Sequence, residues 1–168
     1  MEKVKYLMIH HSAVSYDKNK DQFKANNNYH NGLWNFKSSL GFYLGYNYEI
    51  AKNGRVRQAR KDGEQTAACY QENMNNGRCI HICLDGNFDN EKPQPAQIFA
   101  LRDLMRRLVK EHSIDKIVFH NEYANKSCPG SNMEKGFIES LVDFKPKAPA
   151  TPDKEVIKNK IIELLSKL

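Results

Sequence analysis

A short segment in the last third of the chain brings together three side chains that can do chemistry. Residues 119–130 read FHNEYANKSCPG, so His120, Lys126 and Cys128 lie within one loop. A further imidazole, His10, ends an apolar run near the N-terminus. Two imidazoles and one thiolate make a three-ligand zinc set, and the open fourth position is what distinguishes a catalytic zinc from a structural one. The sequence therefore predicts a zinc hydrolase with His10, His120 and Cys128 as metal ligands.

Each residue type in this set suits hydrolysis for its own reason. Imidazole and thiolate favour zinc, whereas carboxylates favour harder ions. Zinc lowers the pKa of water and polarises a carbonyl, and cleavage of an amide requires both effects. Lys126 lies two residues before Cys128, where its ammonium can stabilise the oxyanion of a tetrahedral intermediate. Taken singly, each residue is more often structural or a surface group; their combination favours a catalytic site.

The elements that must position these residues follow from the apolar pattern. It predicts strands and helices at 4–9 (strand), 28–37 (helix), 46–51 (strand), 56–59 (strand), 79–84 (strand), 95–112 (helix) and 116–119 (strand). Asn53-Gly54 between two apolar runs predicts a hairpin turn, and the polar stretch 15–28 predicts a loop. The run 79–84 is typical of a central strand covered on both faces.

Strands that alternate with helices predict a single-domain α/β fold. His10 and His120 are each expected to follow a strand, and if those strands are neighbours both rings reach the same edge of the sheet. Open sheets of this class place ligands at the carboxyl ends of their strands. The predicted zinc site therefore lies at the sheet edge.

The character of the chain changes after Leu141. We expect a catalytic domain over 1–144, a Pro-rich linker over 145–153 and an amphipathic helix over 154–168. A free helix of this length would be marginally stable. It is expected to dock on the domain, on another chain or on a further part of the protein, so an appended module and an oligomerisation element both stay open.

Composition limits the partners and the compartment. The net charge of +6 favours anionic partners, among which nucleic acid, acidic membrane surfaces and cell-wall polymers all qualify. Once Cys128 is taken as a ligand, three of the four cysteines remain, which argues against a disulfide framework; a Cys69–Cys79 pair stays open. The start of the chain does not resemble a signal peptide and no run approaches a membrane span. Synthesis in the cytoplasm without membrane insertion is expected.

Several motifs together resemble one known family. The chain is similar to the zinc-dependent N-acetylmuramoyl-L-alanine amidases of the phage-lysozyme and peptidoglycan-recognition-protein type over about residues 4–140. The motifs that carry the likeness are IHHSA at 9–13, LGYNYEI at 44–50, NGRV at 53–56, IHICLDGNF at 80–88, PAQ at 95–97, and the closing block from His120 through Lys126 to CPG at 128–130.

The resemblance implies specific roles for five residues. His10, His120 and Cys128 match the zinc ligands of the family, and Tyr46 and Lys126 match its catalytic tyrosine and lysine. It implies a mixed central sheet flanked by helices, and cleavage of the amide between the lactyl group of N-acetylmuramic acid and L-alanine of bacterial peptidoglycan. Release from a phage or prophage host, as an endolysin, is the expected setting.

The main rival interpretation is a domain that binds peptidoglycan without cutting it. Non-catalytic members of the family typically lose a zinc ligand, above all the cysteine, and Cys128 is present. A nucleic-acid-binding protein would carry aromatic residues among its basic ones, and the basic face of the 95–112 helix carries none. A thiol redox protein would need a closer pair than Cys79 and Cys83.

The chain also departs from the family pattern. Residues 65–70 lack the histidine that many members carry there, which puts a substrate contact in doubt. His81 stands where a small residue is usual, and we expect it to be structural, like His30 and His112. His11 is expected to serve as a core group or to support a ligand.

Overall fold

The computed structural model describes residues 3–15 and 21–142. Within these residues the strands and helices are, in chain order, β1 (Tyr6–His11), α1 (Gln22–Trp34), β2 (Tyr48–Ile50), β3 (Val56–Gln58), β4 (Cys79–Leu84), α2 (Pro95–Glu111), β5 (Lys116–Phe119) and α3 (Lys135–Ser140). None of the helices in these two ranges is both long enough and apolar enough to span a membrane. The predicted linker and C-terminal helix (145–168) lie outside the described residues.

The strands form one mixed sheet, which confirms the predicted fold class. Their spatial order is β3-β2-β4-β1-β5. The pairs β2–β4, β4–β1 and β1–β5 are parallel, and β2–β3 is an antiparallel hairpin. β4 lies in the middle with all six residues buried, as its continuous apolar run predicts. Because β1 and β5 are neighbours, the residues at their carboxyl ends meet at one edge of the sheet.

One face of the sheet is apolar and packs under α2 and α3. Leu101, Leu104, Met105 and Leu108 of α2 are buried in this core, and each buried side chain of this size contributes about 1.5–3 kcal/mol. The fully buried Gln97 fixes α2 to the strand ends, because its amide donates to the carbonyl oxygens of Ile50 at 3.2 Å and Asp85 at 2.9 Å.

The opposite face of the sheet carries a polar row. His10, Cys83, Glu49 and Arg57 are successive Cα partners across β1, β4, β2 and β3, so their side chains share one face. Helix α1 contacts this row through Asn26, whose Nδ2 donates to Glu49 Oε2 at 2.7 Å. One face of the sheet therefore forms the hydrophobic core, and the other carries the polar side chains of the candidate site.

The structure corrects several predicted boundaries. The loop predicted over 15–28 is wrong for its second part, because α1 begins at Gln22 with Asp21 as its N-cap, and the helix ends at Trp34 rather than at residue 37. The buried positions of α1 include Asn26 and His30, so its inner face is polar and an apolar period does not reveal it. The strands predicted at 46–51 and 56–59 are shorter than expected. β1 extends through His11, so His10 lies within the strand, and the six-residue α3 was not predicted.

Candidate metal and catalytic site

The structure brings the three predicted metal ligands together. One ligand atom each from His10, His120 and Cys128 lies within 4.8 Å of the other two, and all three residues are buried. His10 Nδ1 is 3.7 Å from Cys128 Sγ. Two such ligands on one tetrahedral zinc, at ordinary Zn–N and Zn–S lengths, are about 3.5 Å apart. The donor set and its spacing therefore fit a zinc ion.

The sheet and one loop produce this geometry. His10 projects from β1, which lies between β4 and β5, and His120 is the first residue after β5. Their ring centroids are 4.6 Å apart. Cys128 approaches from the loop that follows β5, where the backbone N–H of His11 lies 3.4 Å from its sulfur. Such a contact stabilises a thiolate, because a backbone N–H donates to the charged form.

The loop that carries Cys128 is held by residues distant in sequence. Asp89 accepts hydrogen bonds from Ser127 Oγ at 2.7 Å and from the Ser131 backbone N–H at 3.1 Å, so it fixes both sides of the cysteine. Gly130 has φ +101°, and a Cβ there would lie 2.4 Å from the carbonyl carbon of Phe88. Only glycine therefore fits at this approach. Sequence reasoning missed Asp89, whose partners are about 40 residues away.

Glu122 stabilises the turn after β5 and does not contact the imidazoles. Its Oε1 accepts from the Phe119 backbone N–H at 2.6 Å, and its Oε2 forms an ion pair with Lys135 Nζ at 2.6 Å. The carboxylate is exposed. Of the two readings that the sequence left open, a support for an imidazole and a surface carboxylate, the structure favours the second.

Burial sets the protonation of the three donors. It holds the pKa of His10 well below its usual range, with the nearby His81 and His120 rings adding to the effect. Burial, followed by the Lys126 ammonium, lowers the pKa of His120 to about 4. Burial raises the pKa of the Cys128 thiol to about 12. Neutral imidazoles offer free lone pairs at pH 7, and the thiol would exchange its proton for a cation.

Tyr46 and Lys126 line the same cleft as His120 and Cys128, two of the three candidate metal ligands. A cavity of about 800 Å³ is bordered by Tyr46, His120, Lys126 and Cys128. The Tyr46 ring centroid lies 5.1 Å from that of His10. Burial raises the pKa of Tyr46 well above its ordinary value, so its hydroxyl keeps its proton and can donate a hydrogen bond. Lys126 is exposed in the loop before Cys128.

The support for Tyr46 comes from α1 and from a buried arginine. His30 Nδ1 accepts from the Gly45 backbone N–H at 3.0 Å. Arg60, which is completely buried, donates from Nε to the Leu44 carbonyl oxygen at 2.7 Å. These two contacts fix the backbone immediately before Tyr46. His30 also borders the cleft. His112 pairs with Asp62 at 3.0 Å.

His11 lies beside the site on the other side of the strand. Its Nδ1 accepts from the Phe88 backbone N–H at 3.1 Å, and its own backbone N–H contacts the Cys128 sulfur. The sequence left open whether His11 is a core group or supports a ligand, and its contact with the candidate ligand Cys128 is made by its backbone. His81, which we expected to be structural only, lies 2.9 Å from His10 through Nδ1. The sequence carried no signal of this contact, because His81 is embedded in an apolar strand.

The loop that lacks the family histidine also borders the site. Residues 65–71, together with Trp34 and Lys126, line a second cavity of about 490 Å³. Asn75 shapes this loop, because its Oδ1 accepts from the Cys69 backbone N–H at 2.8 Å and from Thr66 Oγ1 at 2.9 Å. Cys69 and Cys79 are buried in the same cluster as free thiols. The pairing left open by the sequence is not formed.

A pair of buried carboxyls lies beside the cleft. Glu49 and Asp85 are each less than 5% exposed. Burial and the neighbouring Asp85 charge raise the pKa of Glu49, and burial raises the pKa of Asp85. Glu49 Oε1 and Asp85 Oδ1 are buried and have no hydrogen-bond partner among the described residues. Burial disfavours two charged carboxylates side by side, which favours retention of a proton by this pair in the folded state.

Comparison with known proteins identifies the family. A family profile described as N-acetylmuramoyl-L-alanine amidase matches residues 1–131. The chain belongs to this family. Among curated relatives, the endolysin of Klebsiella phage KP32 is 28% identical over 97 residues, which is 55% of this chain and 62% of that protein. Peptidoglycan-recognition protein SC1a of Drosophila melanogaster is 27% identical over 136 residues, covering 76% of this chain and 69% of that protein.

Solved structures of other proteins show the same fold. The N-acetylmuramoyl-L-alanine amidase LysC from Clostridium intestinale superimposes with a TM-score of 0.67 at 22% identity, covering 82% of this chain and 84% of that one. Drosophila PGRP-LB gives a TM-score of 0.69 at 21% identity, covering 90% and 88%. Against its first curated relatives the chain spans less than two thirds of their length.

Proposed function

We propose that this chain is a zinc-dependent N-acetylmuramoyl-L-alanine amidase. It would cleave the amide between the lactyl group of N-acetylmuramic acid and L-alanine of the stem peptide. The observation that carries the proposal is the convergence of His10, His120 and Cys128. Of these three, His120 and Cys128 line an open cleft that Tyr46 and Lys126 also line. Family membership supports the choice of reaction.

The donor set determines the cofactor that the proposal names. His10, His120 and Cys128 would hold a Zn²⁺ ion and leave one coordination position toward the cleft. A zinc ion bound there would supply an activated water and polarise the scissile carbonyl. The chain itself contributes neutral imidazoles and a thiol whose sulfur contacts the His11 backbone N–H, which favours the thiolate.

Lys126 and Tyr46 are the groups that we assign to the reacting amide. The exposed ammonium of Lys126 would stabilise the oxyanion as it develops, and one such donor contributes about 3–4 kcal/mol to catalysis. The hydroxyl of Tyr46 stays protonated, so it would donate to the same oxygen or orient the attacking water. Both side chains border the cavity with His120, which places them within one substrate-sized space.

A second candidate function is recognition of peptidoglycan without cleavage. The relatives named peptidoglycan-recognition proteins support it, since they match this chain as well as the phage endolysins do. In both functions the cleft of about 800 Å³ would bind the glycan–peptide. The two functions differ in whether an amide bond is broken, so product analysis separates them.

The test is the appearance of new amino termini in purified peptidoglycan. Wild-type protein with zinc should release stem peptides that begin with L-alanine. Cys128→Ser, which removes a candidate ligand, should release none, and Arg106→Lys, which alters an exposed residue of α2, should act like wild type. Binding to peptidoglycan without new L-alanine termini from several wall types would replace the amidase proposal with recognition.

We further propose that the natural setting is lysis by a phage or prophage, with action on the cell wall after release. The support is the set of relatives named endolysins, from Klebsiella phage KP32, Escherichia phage T7 and Enterobacteria phage T3. Expression inside a bacterium should be tolerated until the membrane is permeabilised. Lysis without permeabilisation would contradict this setting.

A further inference from the structure

A buried histidine connects the metal site to the protein interior. His81 of β4 is completely buried, and its Nδ1 lies 2.9 Å from His10 Nε2. Its other ring nitrogen, Nε2, lies 3.1 Å from the carbonyl oxygen of Met74. The contacts form a continuous path from Met74 through His81 and His10 to the Cys128 sulfur.

The chemistry of this path determines which nitrogen carries each proton. A carbonyl oxygen only accepts, so His81 Nε2 must carry the proton in its contact with Met74. A charged imidazolium at this completely buried position would be strongly disfavoured, so His81 is neutral and its Nδ1 is an acceptor. His10 must then donate from Nε2. Its Nδ1, the atom that faces Cys128 Sγ at 3.7 Å, is left with a free lone pair.

We infer that His81 is a positioning residue that fixes His10 in the tautomer and orientation needed to bind metal through Nδ1. This inference rests on the proposed zinc site. A ligating histidine generally donates its second N–H to a carboxylate, a carbonyl or water, and loss of that partner weakens metal binding about 10–100-fold. Here the His81 imidazole is the acceptor for the second N–H of His10, and the Met74 carbonyl oxygen orients His81 in turn.

The protein holds His81 firmly enough for this role. Its backbone N–H donates to Asn47 Oδ1 at 2.8 Å, and its carbonyl oxygen accepts from the Asn47 backbone N–H at 3.0 Å. Asn47 is completely buried and directly follows Tyr46. The same asparagine therefore fixes the strand at His81 and the backbone beside the tyrosine of the cleft.

The first readout needs no metal. Nitrogen NMR of the metal-free wild-type protein at neutral pH should show His10 as a single tautomer protonated at Nε2. His81→Leu removes the acceptor and should give a mixture of both tautomers. A wild-type His10 protonated at Nδ1 would overturn the inference whatever the enzymatic activity.

The second readout is zinc affinity, measured by competition with a chromophoric chelator. His81→Leu should raise the dissociation constant for zinc about 10–100-fold, and His81→Gln, whose amide oxygen can accept from His10, should recover part of the loss. Arg106→Lys, which alters an exposed residue of α2, should leave the constant unchanged. A folded His81→Leu variant that binds zinc within twofold of wild type would refute the inference. If His81→Leu does not fold, the tautomer of His10 in the wild type and the zinc affinity of His81→Gln test the inference instead.

These outcomes are separable from failure of the proposed function. Loss of zinc affinity in His81→Leu, combined with a wild-type protein that releases no L-alanine termini, would support the positioning role and reject the amidase. Unchanged zinc affinity in His81→Leu, combined with amidase activity in the wild type, would reject the positioning role alone.

Discussion

Replacement of Arg60 by methionine should destabilise the domain and disturb Tyr46. The guanidinium is completely buried and makes three hydrogen bonds to backbone carbonyl oxygens: Nε to Leu44 at 2.7 Å, and the terminal nitrogens to Gln65 at 3.2 Å and Phe36 at 2.5 Å. It also lies 4.4 Å above the Phe36 ring centroid. Arg60 thus joins three loop segments around one cation.

The magnitude follows from these contacts. A hydrogen bond that involves a charged group contributes about 1.5–3 kcal/mol net, so three give an upper range of about 4–9 kcal/mol. Methionine would keep part of the apolar packing and remove the cost of burying a charge, which offsets some of the loss. We expect the free energy of unfolding to fall by about 3–5 kcal/mol in Arg60→Met, a large part of the stability of a small domain.

Urea denaturation followed by circular dichroism measures this change. Arg60→Lys is the matched control, since it keeps the charge but has fewer donors in a different geometry and should lie between wild type and Arg60→Met. Amidase activity should fall with stability, because Leu44 precedes Tyr46 by two residues. If the free energy of unfolding falls by less than about 1 kcal/mol in Arg60→Met, these three hydrogen bonds do not stabilise the loops.

Three further predictions concern metal, catalysis and pH. Zinc at about 100 times its dissociation constant should stabilise the protein by about 2.7 kcal/mol; thermal unfolding should show this shift in Cys69→Ser and lose it in Cys128→Ser, and equal shifts would contradict the assignment. Lys126→Met should lower kcat about 10²–10³-fold with unchanged zinc content; a change in KM alone would contradict its role. The pKa values of Glu49 and Asp85 are raised, so the folded chain binds protons that the unfolded chain has already released. The free energy of unfolding should therefore fall as pH rises from about 4, the ordinary carboxyl pKa, through neutrality. Urea midpoints measured across this range should depend less on pH in Glu49→Gln, and an unchanged dependence would argue against a proton held by this pair.

Much of the fold follows from local patterns in the sequence. The run 79–84 predicts the central β4 because it is apolar except for His81. Asn53-Gly54 between two apolar runs predicts the hairpin turn. In the structure Gly54 has φ +82°, and a Cβ there would lie 2.7 Å from the Ala96 carbonyl oxygen. The loop from His120 to Cys128 predicts chemistry because its residue types are rare in combination. The neighbouring positions of β1 and β5 then bring His10 to the same place.

The remainder depends on contacts that no local pattern reveals. Helix α1 was misplaced because its buried face uses Asn26 and His30 as partners for polar groups of the site. His81 is separated from His10 by 71 residues, and Asp89 from Ser127 by 38. These roles can be inferred only when the register of the sheet and the position of the loop that carries Cys128 are known. Polar residues inside apolar patterns were therefore the positions where sequence reasoning failed.

A zinc titration tests directly whether bound zinc is required for the proposed amidase activity. Metal-free protein would receive increasing zinc while bound metal and the rate of release of L-alanine termini from peptidoglycan are measured in the same samples. The rate should rise in proportion to bound zinc and saturate at about one ion per chain. A full rate in the metal-free protein, or stoichiometric zinc with no release, would contradict it.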